Sequence, residues 1–579
     1  MSELLTESGE LSYPALLRRR ALTEPDAVAI RQPAIEELRY GEWFDRARAF
    51  AGRLRDAGHG RGARVGLLFN NAAYCEYAIA ALGVLFVGAA VAPLSRALTD
   101  AELARLTRRA RLDVVVHGSE LEAPDADLPT IAFALPTAVE DRSFDTEPEG
   151  DALAEILFTS GTTGEPKPIA VTHRGLASEL PVDDSSPPRD EVLLHAVPLG
   201  TNWAQAMLRR TLARRVTTVV MDRFDAEEAV ALIAAEGATE LALSPAMAGL
   251  LLSADASEHD LSRLRQISLS SAPASAALLE GLRQRFPAAT IASFYSSTEA
   301  CPAQAELLVP PDPVSAVGRA SAGSELRIVD EQGAALPAGR LGTVQLRSVA
   351  GVHRNYLDGG PVCDDDGWVA TGDVGRLDGD GLLTLVGRAA EVVNFGGVKI
   401  HCGEVEAVLQ GHPRVRDAAA FGIAAPIVGE ELAAALVCDG PVSDHELVSF
   451  ARERLAAHKL PTRLTRVARL PRTAAGKVDK AELRRWTTAR GAERRTAGAA
   501  PTGDLERHLL ELWRDVLGDE ALEARDPLLD RGASSLAAFV VLSRMRQRLE
   551  LEVRASAFLR CGTVSEQARL FAQAAGAAS

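Results

Sequence analysis

The segment Ile156-Leu-Phe-Thr-Ser-Gly-Thr-Thr-Gly-Glu-Pro-Lys-Pro168 opens as an apolar strand and breaks into small hydroxylated residues, two glycines and a lysine. Thr159, Ser160, Thr162 and Thr163 carry hydroxyl donors, Gly161 and Gly164 let backbone N–H groups turn toward an anion, and Lys167 adds positive charge. That is the chemistry of a polyphosphate-holding loop. The spacing of a Walker loop is absent, and taken alone the stretch also reads as a plain Ser/Thr/Gly linker. Tyr295-Ser-Ser-Thr-Glu299 offers a ring that can stack on a base, a Thr298 hydroxyl for a phosphate, and a Glu299 carboxylate that can help hold Mg²⁺ among phosphate oxygens. By itself such a run is equally a polar loop. Thr371-Gly-Asp373 sets a carboxylate beside a glycine after a strand, where it can accept from both hydroxyls of a ribose or simply close a turn. In Leu528-Leu-Asp-Arg-Gly-Ala-Ser-Ser-Leu536, Ser535 would start a helix, with Gly532 in the turn before it. A phosphodiester on that serine would lie at the positive end of the helix, with Arg531 nearby. A plain N-cap serine is the alternative, and Ser534 could play that part.

The phosphate loop resembles the signature loop of the adenylate-forming superfamily, the acyl-CoA ligases, luciferases and peptide-synthetase adenylation domains. Tyr295–Glu299 is similar to that family's Y-G-x-T-E motif, with Ser296 where glycine is usual. Ser271-Ala-Pro273 resembles the small-residue turn that lines the adenine, which implies Ala272 as a contact. Asp373 followed by Gly387-Arg388 matches the family's distance: Asp373 is implied to hold the ribose and Arg388 to lie near the ribose or α-phosphate. Pro471-Arg-Thr-Ala-Ala-Gly-Lys477 resembles the catalytic-lysine loop. A lysine in such a loop can swing in and neutralise charge developing between a carboxylate oxygen and the α-phosphate, whereas any single lysine can also be a surface residue. The hinge that usually carries Asp or Lys falls on Ala390. The run around Ser535 looks like the attachment site of acyl- and peptidyl-carrier domains, with Ser535 receiving phosphopantetheine.

The resemblance implies ATP, Mg²⁺ and phosphopantetheine as cofactors, and activation of a small carboxylic acid as acyl-AMP before its transfer to the carrier thiol. Peptide-synthetase pockets for amino acids usually hold an aspartate for the substrate ammonium, since a buried ammonium needs a partner. The corresponding stretch here, His195-Ala-Val-Pro-Leu-Gly-Thr-Asn-Trp-Ala204, has no carboxylate, and Pro93-Leu-Ser95 looks more like acyl- and aryl-CoA ligases. An aryl or small acyl acid is therefore favoured, with an amino acid or free-CoA ligase chemistry as alternatives. Asn202, Trp203, Met207 and Ser296 are the candidate pocket residues, and Asn202, Trp203 and Met207 read equally as core. A phosphopantetheinyl transferase to prime the carrier and a downstream acyl-accepting enzyme are the expected partners.

These residues need a scaffold. Helix, strand and turn signals alternate through the first 310 residues, the pattern of an α/β domain with a largely parallel sheet. Residues 13–58 read as two amphipathic helices around a polar turn. Short strands at 323–330, 342–347, 369–370 and 381–386 suggest a small β-rich part, and helices follow at 404–410 and 444–458. Residues 489–502 have no apolar period and read as a linker. Helices at 505–517, 535–549 and 564–574 form a bundle of their own. The expected domains are an N-terminal core over 1–387, a mobile α+β subdomain over 388–487, a linker over 488–503 and an all-α carrier bundle over 504–579. The 579 residues are too many for one core. A net charge of −16 argues against nucleic acid as a partner. The apolar run 77–92 contains two glycines and is too short for a membrane span. Six cysteines without C-x-x-C spacing suggest neither a disulfide framework nor zinc, and fit a reducing cytoplasm.

Overall fold

The computed structural model describes residues 12–578 except 97, 125–127, 136–147, 160–166, 180–189, 273, 310–315, 389–390, 396–397, 426–428, 457–458, 473–477, 494–502, 532, 534, 550–552, 554–557 and 559–560. The chain forms two units, Met1–Leu385 and Val386–Ser579.

The first unit holds two large sheets. In the nine-stranded one, Val28–Gln32, Thr217–Val220, Val192–His195, Glu240–Leu243, Gln266–Leu269 and Thr290–Tyr295 run parallel, and Glu36–Arg39, Ala305–Val309 and Arg319–Ala320 complete it. In the seven-stranded one, Thr130–Ala132, Val114–His117, Arg64–Leu68, Ala90–Leu94 and Leu153–Thr159 run parallel. Lys167–Thr172 and Asn355–Tyr356 follow antiparallel at its edge. Parallel strands buried on both faces read as continuous apolar runs, as Val114-Val-Val116 does. One core cluster joins residues of both sheets to the helices Tyr13–Thr23, Tyr40–Asp56, Tyr74–Phe86 and Asn202–Arg214. Helices Tyr40–Asp56 and Tyr74–Phe86 pack so closely that a Cβ on Gly83 would stand 2.8 Å from the Ala47 carbonyl.

Two expectations change here. Residues 13–58 do hold the two expected helices, Tyr13–Thr23 and Tyr40–Asp56, but their connection is not a turn: it is the antiparallel hairpin Val28–Gln32 and Glu36–Arg39, whose first strand pairs with Thr217–Val220. The β-rich part is a four-stranded sheet in the order Ser324–Val329, Gly342–Ser348, Val369–Leu377, Leu383–Arg388. Its third strand does not stop at residue 370 but runs through Thr371-Gly-Asp373.

In the second unit a five-stranded sheet carries helices Cys402–Gln410 and Asp444–Arg452 over one apolar cluster, and Leu483 and Trp486 of helix Lys480–Glu493 over another. That last helix runs six residues into the segment read as a linker, and the helix expected over 444–458 ends at Arg452. Helices Asp504–Leu517, Ser535–Leu549 and Val564–Ala578 close on a separate core that includes Trp513, Val541, Phe558 and Phe571. The Trp513 indole donates to Gln567 Oε1 at 2.6 Å within it. Among the described residues no helix is long and apolar enough to cross a membrane, and no group of metal-ligating side chains occurs.

Candidate active site

Ligands of parallel α/β sheets collect at the carboxyl ends of the strands, and the start of the phosphate loop, Ser271-Ala272 and Tyr295 lie there. Thr159 ends its strand, and Ser160, Gly161, Thr162, Thr163 and Gly164 lie outside the described residues. Lys167 opens the next strand, its ammonium 5.1 Å from the centre of the Tyr356 ring. Beyond Gln266–Leu269, Ser271 has a φ of +77°, costly for any residue with a Cβ, and Ala272 beside it is half-buried. Tyr295 is the last residue of Thr290–Tyr295.

The phenol of Tyr295 reaches Asp373 Oδ2 at 2.6 Å and Thr371 Oγ1 at 2.9 Å. The phenol has one proton and a carboxylate only accepts, so the tyrosine donates to Asp373; Thr371 Oγ1 also lies 3.0 Å from the Val344 carbonyl. This meeting depends on a bulge. Thr343 pairs with Val374 but Gln345 pairs with Ala370, so Thr371-Gly-Asp373 faces the single residue Val344. Extra residues re-aim side chains, and Gly372 supports the kink with a φ of +77°, which its missing Cβ permits. Asp373 is left 8% exposed with a bound phenol and further partners.

The stretch read as the acid side is pinned at several points. The buried Asn71 amide donates to the carbonyls of Val197 and Met221 and accepts from the Leu199 amide. Gly200, at φ +91°, lies so near the Leu94–Ser95 backbone that a Cβ would stand 2.8 Å from the Ser95 nitrogen. Thr201 caps helix Asn202–Arg214 by accepting from the Ala204 amide. Of the four candidate pocket residues, the structure brings Asn202 and Ser296 together: Asn202 Nδ2 lies 3.4 Å and Ser296 Oγ 3.6 Å from Cys301 Sγ. Ser296 also donates to the Ala303 carbonyl at 2.6 Å. Met207 is core, and Trp203 packs against the same core.

Beneath this patch runs a buried ionic chain that the sequence reading missed. Arg354 donates to Asn202 Oδ1, to the Thr298 carbonyl at 2.8 Å and to Glu179. Glu179 accepts from Arg209 at 2.6 Å, and Arg209 reaches Glu155 at 3.0 Å. Burial alone would raise the Glu179 carboxyl, but the guanidiniums of Arg209 and Arg354 outweigh it and hold it below its ordinary value. Glu155 has one guanidinium partner, and burial leaves it raised. One signal was present: Glu155 interrupts the apolar run Leu153-Ala-Glu-Ile-Leu-Phe158, and a charge there needs a partner.

Glu299 is half-buried and has no hydrogen-bond or ion-pair partner among the described residues, so its carboxylate fits a hard cation held among phosphate oxygens. In the second unit, Arg388 ends the strand Leu383–Arg388. Lys477 and Ala390 lie outside the described residues. Lys480, three positions after Lys477, is paired with Glu391 and Glu406. Ser535 is the first residue of its helix. Arg531, expected as a countercharge there, is taken up by Asp519 at 3.1 Å and Asp526 at 2.5 Å.

Motifs at the ends of parallel strands and a separate helical bundle after them are the parts of an adenylate-forming ligase carrying a carrier domain. Comparison with known proteins agrees. The AMP-binding enzyme family matches residues 17–357, its C-terminal domain matches 404–477, and the phosphopantetheine attachment site matches 507–571. The chain belongs to the AMP-binding enzyme family, whose members use ATP and Mg²⁺, and its carrier domain is of the kind that bears phosphopantetheine. A 2-succinylbenzoate–CoA ligase of Bacillus licheniformis is 30% identical over 82% of this chain and 100% of its own length. Tyrocidine synthase 2 of Brevibacillus parabrevis is 26% identical over 94% of this chain, which spans 16% of that protein. The amide bond synthetase McbA of Marinactinospora thermotolerans superposes with a TM-score of 0.73, at 26% identity over 82% of this chain and 99% of its own.

Proposed function

We propose that this enzyme activates a carboxylic acid without an α-amine, aryl or small acyl, and loads it onto phosphopantetheine at its own Ser535. The observation that carries this reading is the joining of both adenylation-domain matches and the phosphopantetheine-site match in one chain. Asp373, aimed by the bulge and held by Tyr295, is assigned the ribose hydroxyls. Thr159–Gly164 and Lys167 are assigned the phosphates, with Thr298, Ala272 and Arg388 completing the nucleotide contacts. Mg²⁺ at Glu299 would neutralise phosphate charge. Lys477 is assigned the charge that develops as the carboxylate displaces pyrophosphate from the α-phosphate. The carrier thiol then takes the acyl group, and AMP leaves. The proposed domain limits are 1–387, 388–493 and 504–579, because the helix that ends at Glu493 shortens the linker expected from residue 488.

The acid class is supported by charge. Glu179 is tied to two arginines, and no carboxylate bonds to Asn202, Ser296 or Cys301 among the described residues. The test is the intact mass of the protein, coexpressed with a phosphopantetheinyl transferase and incubated with Mg·ATP and a pool of aryl, acyl and amino acids. A phosphopantetheine increment that Ser535→Ala abolishes, followed by a second increment matching an acid without an amine, is expected. An amino-acid increment refutes the substrate class. An absence of priming, with product formed on free CoA, refutes self-loading and favours the chemistry that the name of the Bacillus relative describes.

A further inference from the structure

We propose that Arg354 and Tyr356 act as a clip that sets the spacing between Lys167 and Glu299, and so tune affinity for the metal–triphosphate part of ATP without affecting the nucleoside part. The inference rests on the reading of Glu299 as the metal-facing carboxylate.

The strand Asn355–Tyr356 pairs with Ile169 and Ala170, and the Leu357 amide donates to the Pro168 carbonyl at 3.0 Å. This short segment is therefore fixed to the strand that leaves the phosphate loop. The Tyr356 ring lies under the Lys167 ammonium, a cation–π contact that holds a flexible four-carbon chain in one place. Two residues earlier, the buried Arg354 reaches the other way. One nitrogen, Nη1, meets the Thr298 carbonyl, the residue before Glu299, and both Nη atoms meet Asn202 Oδ1 at 3.1–3.2 Å. A guanidinium only donates, so Asn202 must turn its oxygen inward and its NH₂ toward Cys301, at the far end of the same turn. The Thr298–Cys301 turn is thus gripped at both ends through one side chain. Glu179, anchored by Arg209, keeps that side chain from swinging out. A lysine at 354 would keep the charge opposite Glu179 but has no planar fork to serve Thr298 and Asn202 together. Among the described residues, neither Arg354 nor Tyr356 bonds to the Tyr295–Asp373 pair assigned to the ribose.

The test is calorimetric titration of the full-length protein with Mg·ATP and, separately, with AMP, which requires neither acid nor primed carrier. For Arg354→Lys, we expect the Kd for Mg·ATP and the Mg²⁺ concentration for half-saturation to rise about tenfold, with AMP affinity unchanged within about twofold. Tyr356→Leu should weaken Mg·ATP about two- to fivefold, and Tyr356→Phe, which keeps the ring, should restore it. A parallel weakening of AMP and Mg·ATP, or no change in either, overturns the clip. If circular dichroism shows Arg354→Lys to be misfolded, the Leu and Phe variants at the half-buried position 356 decide alone. Glu299→Gln separates the two levels. If it removes the Mg²⁺ dependence while Arg354→Lys has no selective effect, the clip fails and the metal reading stands; if it leaves the dependence intact, the metal reading falls and takes the clip with it.

Discussion

Tyr295→Phe isolates a single hydroxyl in the nucleotide site. The ring stays, so stacking on a base is preserved; what disappears is the 2.6 Å bond to Asp373 and the 2.9 Å contact with Thr371. Hydrogen bonds to charged groups are worth about 1.5–3 kcal/mol, and the loss of a donor is costlier where the acceptor is buried. Asp373 is 8% exposed, but it has other partners besides the phenol, so the lower end applies. About 1.5 kcal/mol corresponds to roughly a tenfold weaker Kd. The carboxylate is expected to relax from its aim rather than lose its charge, so AMP and ATP should weaken alike. In ATP–pyrophosphate exchange the KM for ATP should rise about tenfold, while kcat at saturating ATP stays within about threefold. A double-mutant cycle with Asp373→Asn makes the reading specific, because the two effects should be strongly sub-additive if the hydroxyl acts through the carboxylate. An unchanged nucleotide affinity in Tyr295→Phe, or strict additivity with Asp373→Asn, would refute the assignment of this pair to the ribose.

Two further outcomes follow from buried charge. Arg209→Met leaves Glu155 without its guanidinium and Glu179 with only Arg354. Removing one member of a buried pair costs about 3–5 kcal/mol, so calorimetry should find a much lower transition for the first unit and an unaltered one for the carrier bundle; an unmoved first transition would mean the chain is not structural. Burial lowers the imidazoles of His173 to about 4 and His195 to about 3, from 6.5. Because the folded values are depressed, the unfolded chain binds more protons between those values and 6.5, and stability must fall as pH drops through that window. At pH 5.5 each histidine contributes a loss of about 1.4 kcal/mol. The melting temperature should therefore decline from pH 7.5 to 5.5, and less steeply in His173→Gln; equal slopes would show that His173 is not buried neutral.

The phosphate loop and Tyr295–Glu299 were legible because each follows a strand and carries its own turn residues. The hairpin at 28–39 was not. Its strands carry Arg31, Gln32, Glu36, Glu37 and Arg39, and what makes Val28–Gln32 a strand is pairing with Thr217–Val220, almost two hundred residues on. Tertiary pairing of this kind overrides local preference. Thr371-Gly-Asp373 misled in the opposite direction: a glycine after a short apolar run reads as a strand end, yet here it is the hinge of a bulge inside a nine-residue strand. Residues 488–493 read as linker from their Ala, Gly and Arg content, but alanine, arginine and glutamate are also good helix formers, and the helix continues to Glu493.

The ionic chain around Arg354 has no local signature, since its members come from positions 155, 179, 209 and 354. Its charge balance bears directly on the acid. Two guanidiniums face two carboxylates, so the ground beneath Asn202 is neutral in charge, although the buried Nε atoms of Arg209 and Arg354 have no hydrogen-bond partner among the described residues. A substrate ammonium arriving there would find Asn202 already committed, its oxygen to Arg354 and its NH₂ to Cys301. To be matched, it would have to draw Glu179 away from two arginines, leaving buried positive charge unpaired at a cost of several kcal/mol. An apolar or neutral polar substituent would disturb none of these bonds. The same neutrality makes Asn202→Asp informative. The new carboxylate would keep its bond to Arg354 but add a negative charge beside Cys301, which should depress exchange with aryl and acyl acids and raise it with amino acids, shifting the ratio between the two classes by at least tenfold. A ratio unmoved by this substitution would mean that the acid does not bind against Asn202 at all.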